Sequence, residues 1–300
     1  MWGHVWLPLS CRIYFMHVPY QNSQMKRTVL ITGCSSGIGY CVAVGLKNRG
    51  YSVFATARQP SDVARLQKDG FESLVLDLND SQSIYEAVQT VLERTKGRLY
   101  GLFNNGAYGQ PGAVEDLSRE ALRQQFETNL FGTHELTCQV IPIMRRQGEG
   151  RIIQNSSVLG MVAWPYRGAY NASKFALEGL TDTLRLELAG TGISISLIEP
   201  GPITSRFRAN GYTMFKRYID VEHSVHRDHY IRTEQRLLAE GTVVPFTLPP
   251  SAVLKKVIHA LEAKRPQPRY YVTFPTYLFA TLKRLLTSRT MDWVLRHLPQ

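Results

Sequence analysis

A chain of 300 residues, 44% hydrophobic and 20% charged, can bury a sizeable core, which excludes a disordered, collagen-like or disulfide-stapled polypeptide. Lys and Arg exceed Asp and Glu by 35 − 24 = 11; such a basic excess suits a nucleic acid, an anionic membrane or a phosphorylated cofactor. With no zinc-finger spacing and no aromatic RNA-binding signature, nucleic acid is set aside.

Cys11, Cys34, Cys41 and Cys138 show neither zinc spacing nor a CxxC pair and read as free thiols in a reducing, cytoplasmic compartment. Residues 1–24 carry a single charge, Arg12, among Trp2, Trp6 and two prolines, with no basic run ahead of an apolar stretch and no small-residue cleavage site. They read as an extension outside the catalytic domain, which is expected to run from 25 to 272.

Thr28–Ile31 is a short β-branched run followed by Thr32-Gly33-Cys34-Ser35-Ser36-Gly37-Ile38-Gly39 and then by helix-forming residues. Strand, glycine-rich turn and helix in that order make a phosphate site: glycines let the backbone approach closely, and the helix N-terminus offers N–H donors. Gly33, Ser35, Gly37, Ile38 and Gly39 are the candidates. A second strand over 51–57 ends at Arg58, where an acidic residue would bind the ribose hydroxyl of NAD; an arginine there suits the 2′-phosphate of NADP.

A helix around 62–69 and a strand over 73–76 lead to Asp77, placed either for the adenine edge or for a turn. Residues 81–95 read as a helix and 99–103 as a strand running into Asn104-Asn105-Gly106-Ala107. Alternation of this kind argues a parallel, doubly wound sheet with ligands beyond its carboxyl ends. Residues 117–146 form a long helical stretch in which Asn129 is a polar group on an apolar face.

The run Arg151–Ser156 reads as a buried strand, and after it come Ser157 and the helical Tyr170-Asn171-Ala172-Ser173-Lys174. Residues at i and i+4 share a helix face, so phenol and ammonium can address one spot. A free phenol titrates near ~10, and a cation held beside it lowers that value by favouring the phenolate. Tyr170 could then exchange a proton with a carbonyl or alcohol while Ser157 holds the same oxygen. A second copy of the spacing, Tyr212 to Lys216, lacks a serine ahead of it and is expected on the surface of a mobile segment.

A strand over 193–198 closes at Glu199-Pro200-Gly201-Pro202-Ile203-Thr204, a sharp exit at the ligand edge. Residues 205–247 lose periodicity and carry many aromatics, as a substrate lid would; His223, His226 and His229 read as a solvated face rather than a metal site. A helix over 251–263, an edge strand over 269–272 and an amphipathic tail over 273–300 complete the chain. The tail is too short and too interrupted to span a bilayer; it either packs on the pocket or makes peripheral contact with an anionic membrane.

Taken in order, Thr32-Gly33-x-x-x-Gly37-x-Gly39, Asp77, Asn104-Asn105-Gly106, Asn129, Ser157, Tyr170-x-x-x-Lys174 and Pro200-Gly201-x-x-x-Thr204 resemble the classical short-chain dehydrogenase/reductase family, over about residues 26–272. Ala172–Leu180, Ser196–Pro202 and Lys264–Tyr270 are similar to its hydroxysteroid and retinol dehydrogenase branch and to bacterial aldehyde reductases. The resemblance implies a single Rossmann-type domain with helices on both faces, a lid and a tail.

It further implies Tyr170 as acid/base, Lys174 lowering its pKa and bonding the nicotinamide ribose, Ser157 on the substrate oxygen, and Asn129 anchoring a relay water. Gly33, Ser35, Gly37, Ile38 and Gly39 would cradle the cofactor phosphates; Asn104 would lie on the adenosine side, and Pro200, Gly201 and Thr204 at the nicotinamide amide. One departure stands out: Gly106-Ala107 replaces the family's Ala-Gly. The expected activity is NADP-dependent hydride transfer to or from an apolar aldehyde, ketone or alcohol, with no metal. Oxidation of steroid or retinol hydroxyls and a non-catalytic NADP sensor are the alternatives, and pairing of two copies through the long helices is implied.

Overall fold

A computed structural model describes residues 26–239, 241 and 244–298. The 1–24 extension lies outside these. Seven short strands, most of them buried and rich in Val, Ile, Leu and Phe, form the centre: β1 (Thr28–Ile31), β2 (Ser52–Ala57), β3 (Glu72–Val75), β4 (Gly101–Asn104), β5 (Gly150–Asn155), β6 (Ile193–Glu199) and β7 (Arg269–Tyr271). Continuous apolar runs of this kind fit strands covered on both faces. All pairings are parallel, in the order β3-β2-β1-β4-β5-β6-β7. The expected doubly wound sheet with helices on both faces is what is observed.

One face is covered by α1 (Gly37–Asn48), α2 (Pro60–Lys68) and α9 (Ser251–Glu262), through Val42, Leu46, Leu66, Val253 and Val257. The other carries α3 (Ser81–Arg94) and α5 (Gly132–Gln147), whose Ile84, Val88, Leu136, Val140 and Ile143 meet Leu30, Leu102 and Ile152 of the sheet. Helix α6 (Gly168–Glu187) runs beside α4 (Arg119–Phe126) on that side. The chain reverses its winding between β1 and β4, and the loops after these strands therefore open a crevice at the carboxyl edge.

Two regions differ from the sequence expectation, and a third, the tail, takes one of its two alternatives. The stretch 117–146 is broken into α4, a π-helical turn over Glu127–Phe131, and α5; such turns widen a helix by one residue and re-aim its side chains. The 205–247 insert is largely helical: α7 (Phe207–Tyr218) and α8 (Arg227–Leu238) pack through Phe215, Tyr230 and Leu237. Its periodicity is hard to see because both helices are amphipathic over only three turns and crowded with Arg and His. Tyr212 and Lys216 lie on α7, where both donate to Glu234 Oε1, each at 3.1 Å. The tail folds as α10 (Phe274–Leu285) and α11 (Ser288–Arg296), closed over Met161 and Val162 through Phe279, Met291 and Leu295. Among the described residues no helix is long and apolar enough to cross a membrane.

The edge strand β7 is fastened by charge. Arg269 donates to the carboxylates of Glu178 and Asp182 on α6 and of Glu199 at the end of β6. Glu199 is fully buried; burial and the neighbouring Glu178 hold its carboxyl up to about 8, against the pull of Arg269. Removing a lone counter-charge from buried acids is expensive, about 3–5 kcal/mol. Arg269→Met is therefore expected to lower unfolding free energy by about 3 kcal/mol, read by urea denaturation, with the loss smaller at pH 6 than at pH 9 because a protonated Glu199 no longer needs its partner.

Candidate active site

Strand β1 ends against the turn Thr32–Ser36, and Gly33 adopts φ +69°, a left-handed conformation that favours glycine. Gly39 must be glycine for contact: a Cβ there would stand 2.2 Å from the Gly33 carbonyl oxygen. The first turn of α1 contains no acidic residue, and the Ser36 side chain does not cap it. Its N–H groups, beside half-buried Ser35, Gly37 and Ile38, form a cradle for an anion. Arg58 is exposed at the end of β2. Nearby, Arg65 of α2 donates to the Ser35 carbonyl and pairs with Asp62 at 3.0 Å; it adds a second cation at this rim that the sequence reading did not single out. These features fit the phosphates of a dinucleotide.

The loop after β4 closes the turn from the other side. Thr32 Oγ1 accepts from the backbone N–H of Asn105 at 2.9 Å and of Gly106 at 2.8 Å. Asn104 instead turns inward, donating to Thr137 Oγ1 at 2.9 Å, and is 4% exposed. Asn105 is the residue that touches the glycine turn, through Nδ2 to the carbonyls of Thr32 (3.1 Å) and Gly33 (3.2 Å). Asp77 accepts from the Asn79 N–H at 3.0 Å, so one of its oxygens serves the turn that leads into α3.

Strand β5 ends at Asn155, and from there the catalytic candidates are wired to that turn. Lys174 Nζ donates to the Asn155 carbonyl at 2.7 Å; Asn155 Nδ2 donates to Asn105 Oδ1 at 2.9 Å; Asn105 reaches Gly33. An unbroken path of side-chain donors thus runs from α6 to the cofactor cradle. Asn155 had no signal in the sequence beyond its place at a strand end.

Ser157, Tyr170 and Lys174 converge as expected, all at least nine-tenths buried. Ser157 Oγ accepts from the Leu159 N–H at 3.1 Å. The Lys174 ammonium lies 5.8 Å from the centre of the Tyr170 ring. The electrostatic outcome differs from the expected one. Burial pushes the Tyr170 phenol up to about 12, opposed by the Ser157 hydroxyl and the Arg167 guanidinium, and burial pushes Lys174 down to about 8. Desolvation outweighs the lysine because its ammonium is itself buried and turned to a carbonyl.

Asn129 lies in the π-helical turn, accepting from the Tyr108 N–H at 3.2 Å and donating to the Tyr108 carbonyl at 3.0 Å and to Ser173 Oγ at 3.1 Å. Its side chain is fully engaged, fixing the loop after β4 to α6. The exit after β6 is pinned by Val158 N–H to the Pro200 carbonyl, 2.8 Å, and by Thr204 N–H to the Leu248 carbonyl, 3.0 Å. Gly201 lies against Thr273, and Ser205 lies over Gly37. The exit therefore borders both the cradle and the catalytic strand end.

Helix α7 closes the far side: Phe207 packs edge-on to Tyr170, ring centres 5.3 Å apart. The three histidines do not converge. His223 meets Asp220 at 2.8 Å, His226 meets Glu115 at 2.6 Å, and His229 stacks on Tyr166. No cluster of metal-ligating side chains occurs among the described residues.

A nucleotide cradle at the switch point of a parallel sheet, beside a buried Ser–Tyr–Lys constellation, defines a dinucleotide-dependent oxidoreductase of the short-chain type. The short chain dehydrogenase family model matches residues 27–214, and the chain belongs to that family.

Over 272 residues it is 43% identical to the uncharacterized oxidoreductase YbbO of Escherichia coli K12, covering 91% of this chain and 95% of that one. Human 17-beta-hydroxysteroid dehydrogenase type 1 is 34% identical over 265 residues, 83% of this chain and 78% of that one. Among solved structures, a Burkholderia phymatum short-chain dehydrogenase in complex with NAD aligns with TM-score 0.73 at 26% identity, covering 92% and 96% of the two chains. An actinorhodin polyketide ketoreductase with NADPH aligns with TM-score 0.67 at 28% identity, covering 82% and 95%.

The relay carries a direct expectation. Asn105→Ala removes three hydrogen bonds at once and should cost about 1–3 kcal/mol of stability, measured by denaturant unfolding, and should weaken dinucleotide binding measured by quenching of intrinsic fluorescence.

Proposed function

We propose that the protein is an NADPH-dependent carbonyl reductase acting on an aldehyde or ketone with a substantial apolar part. The observation that carries this reading is the buried Ser157–Tyr170–Lys174 constellation joined by hydrogen bonds to the glycine turn.

The bound dinucleotide would supply a hydride to the carbonyl carbon. Tyr170 would give its proton to the carbonyl oxygen as charge develops there, and Ser157 would donate a hydrogen bond to the same atom. A phenol pushed up to about 12 is protonated at neutral pH, the form that a carbonyl reduction needs, and a bound cofactor and substrate would have to bring it down for fast proton transfer. Lys174, down to about 8 and 3% exposed, would hold the nicotinamide ribose and compensate the phenolate left behind. Leu159, Phe207 and Leu237 give the cavity beside Tyr170 apolar walls that exclude water. Arg58, exposed at the end of β2 where an acid would select NAD, supports NADP.

Tyr170→Phe is expected to lower kcat about 10²–10⁴-fold while NADPH still binds, followed by NADPH oxidation on a panel of aldehydes and ketones; near-normal turnover would refute the assignment. Arg58→Asp should move the NADPH-to-NADH preference by about 10–100-fold toward NADH, the worth of a charged hydrogen bond. An unchanged ratio of kcat/KM for the two cofactors would remove the 2′-phosphate role.

A further inference from the structure

The mouth of the substrate cavity carries positive charge that the reaction does not use. Arg167 stands three residues before Tyr170, at the start of α6, and lines a cavity of about 90 Å³ together with Tyr170, Leu159, Phe207, Leu237 and Arg208. Its guanidinium makes no hydrogen bond among the described residues, and none of its nitrogens is sealed in the interior.

Arg208 of α7 and Arg236 of α8 complete the group: Arg208 donates to the Gly241 carbonyl and, at 3.5 Å, to the carbonyl of Arg236. Among the described residues none of the three forms an ion pair. Half-buried Arg269, by contrast, is matched by Glu178, Asp182 and Glu199.

The neighbouring arginines act on one another and on His229. Burial and Arg236 push the Arg167 guanidinium down to about 10, and burial with Arg232, Arg236 and Arg167 pushes the His229 imidazole down to about 4. Charges of one sign gathered in a partly desolvated cleft repel one another, and the arrangement is relieved by an anion from outside.

We infer that the natural substrate carries an anionic head group, a carboxylate, sulfonate or phosphate, which Arg167, Arg208 and Arg236 bind while its carbonyl lies at Tyr170. This rests on the carbonyl-reductase reading and narrows it: the apolar walls take the middle of the molecule and the arginines take its charged end. Guanidinium groups suit this task because their paired N–H donors match planar and tetrahedral oxyanions alike. The lid helices α7 and α8 supply two of the three cations, so an anionic substrate also draws the lid onto the site.

The test uses the whole protein and matched pairs: ω-oxo carboxylates of increasing chain length against their methyl esters, with ω-oxo sulfonates and phosphate monoesters as further arms. For at least one chain length the acid should exceed its ester in kcat/KM by on the order of tenfold or more. In Arg167→Met the acid-to-ester ratio should fall toward one, through KM more than kcat, and Arg236→Met should move it the same way.

The order of preference among carboxylate, sulfonate and phosphate identifies the head group. In parallel, calorimetry on the NADP-loaded protein should show a hydroxy acid binding at least tenfold more tightly than its ester, a difference lost in Arg167→Met. Esters reduced as well as acids at every length, a preference that survives both substitutions, or equal binding of hydroxy acid and ester would each overturn the anion site while leaving carbonyl reduction standing. Failure of every carbonyl compound, with hydroxy acids still bound selectively, would instead overturn the reductase reading and keep the anion site.

Discussion

The structure depends on how one buried ammonium is held. Lys174 cannot sit in the interior without an acceptor, and its partner is the Asn155 carbonyl at the end of β5, 2.7 Å away. Because Asn155 also grips Asn105, and Asn105 grips the Gly33 carbonyl, the position of the ammonium is fixed by the same atoms that shape the nucleotide cradle. Helix α6, the central strands and the glycine turn are thereby joined in one hydrogen-bonded frame. A site built in this way gains precision from strands rather than loops, since each link in the path begins or ends at the carboxyl edge of the sheet.

Around that frame the charges fall into two groups with opposite character. Behind α6, Arg269 is shared by three carboxylates, Arg185 also pairs Asp182 and burial favours the protonated form of Glu199, so the balance is internal to the protein. In front of Tyr170, Arg167, Arg208 and Arg236 gather without such a balance among the described residues. The phenol sits between them: Arg167 favours its ionised form while burial opposes it, and burial wins. In this chain the tyrosine is governed first by its depth in the protein.

Much of the fold was legible because strands covered on both faces write themselves as apolar β-branched runs, as in Thr28–Ile31 and Ile193–Glu199, and because glycines mark where β1 ends. Ser157, Tyr170 and Lys174 were legible as spacing. What escaped was fixed by tertiary contact. Asn105 and Asn104 are adjacent and chemically identical, and only the exit direction of β4 decides that one meets Gly33 and the other Thr137. Arg167 stood in plain view three residues before Tyr170, but that Arg208 and Arg236 gather beside it, with no acidic partner for it among the described residues, depends on helices some 40 and 70 residues further along (208 − 167 = 41 and 236 − 167 = 69). The π-helical turn at Asn129 has no periodic signature, since one inserted residue leaves the apolar stripes on either side intact.

Fastening the active edge with Arg269 has a consequence for the birth of the molecule on the ribosome. Glu199 is translated 70 residues ahead of the arginine that neutralises it. At ordinary elongation speeds of ~5–20 residues per second, roughly 4–14 s pass before that arginine is made. Through that interval Glu199 can stay neutral by keeping its proton, the form that burial beside Glu178 favours, and Arg269 arrives last to tie the end of β6 to α6.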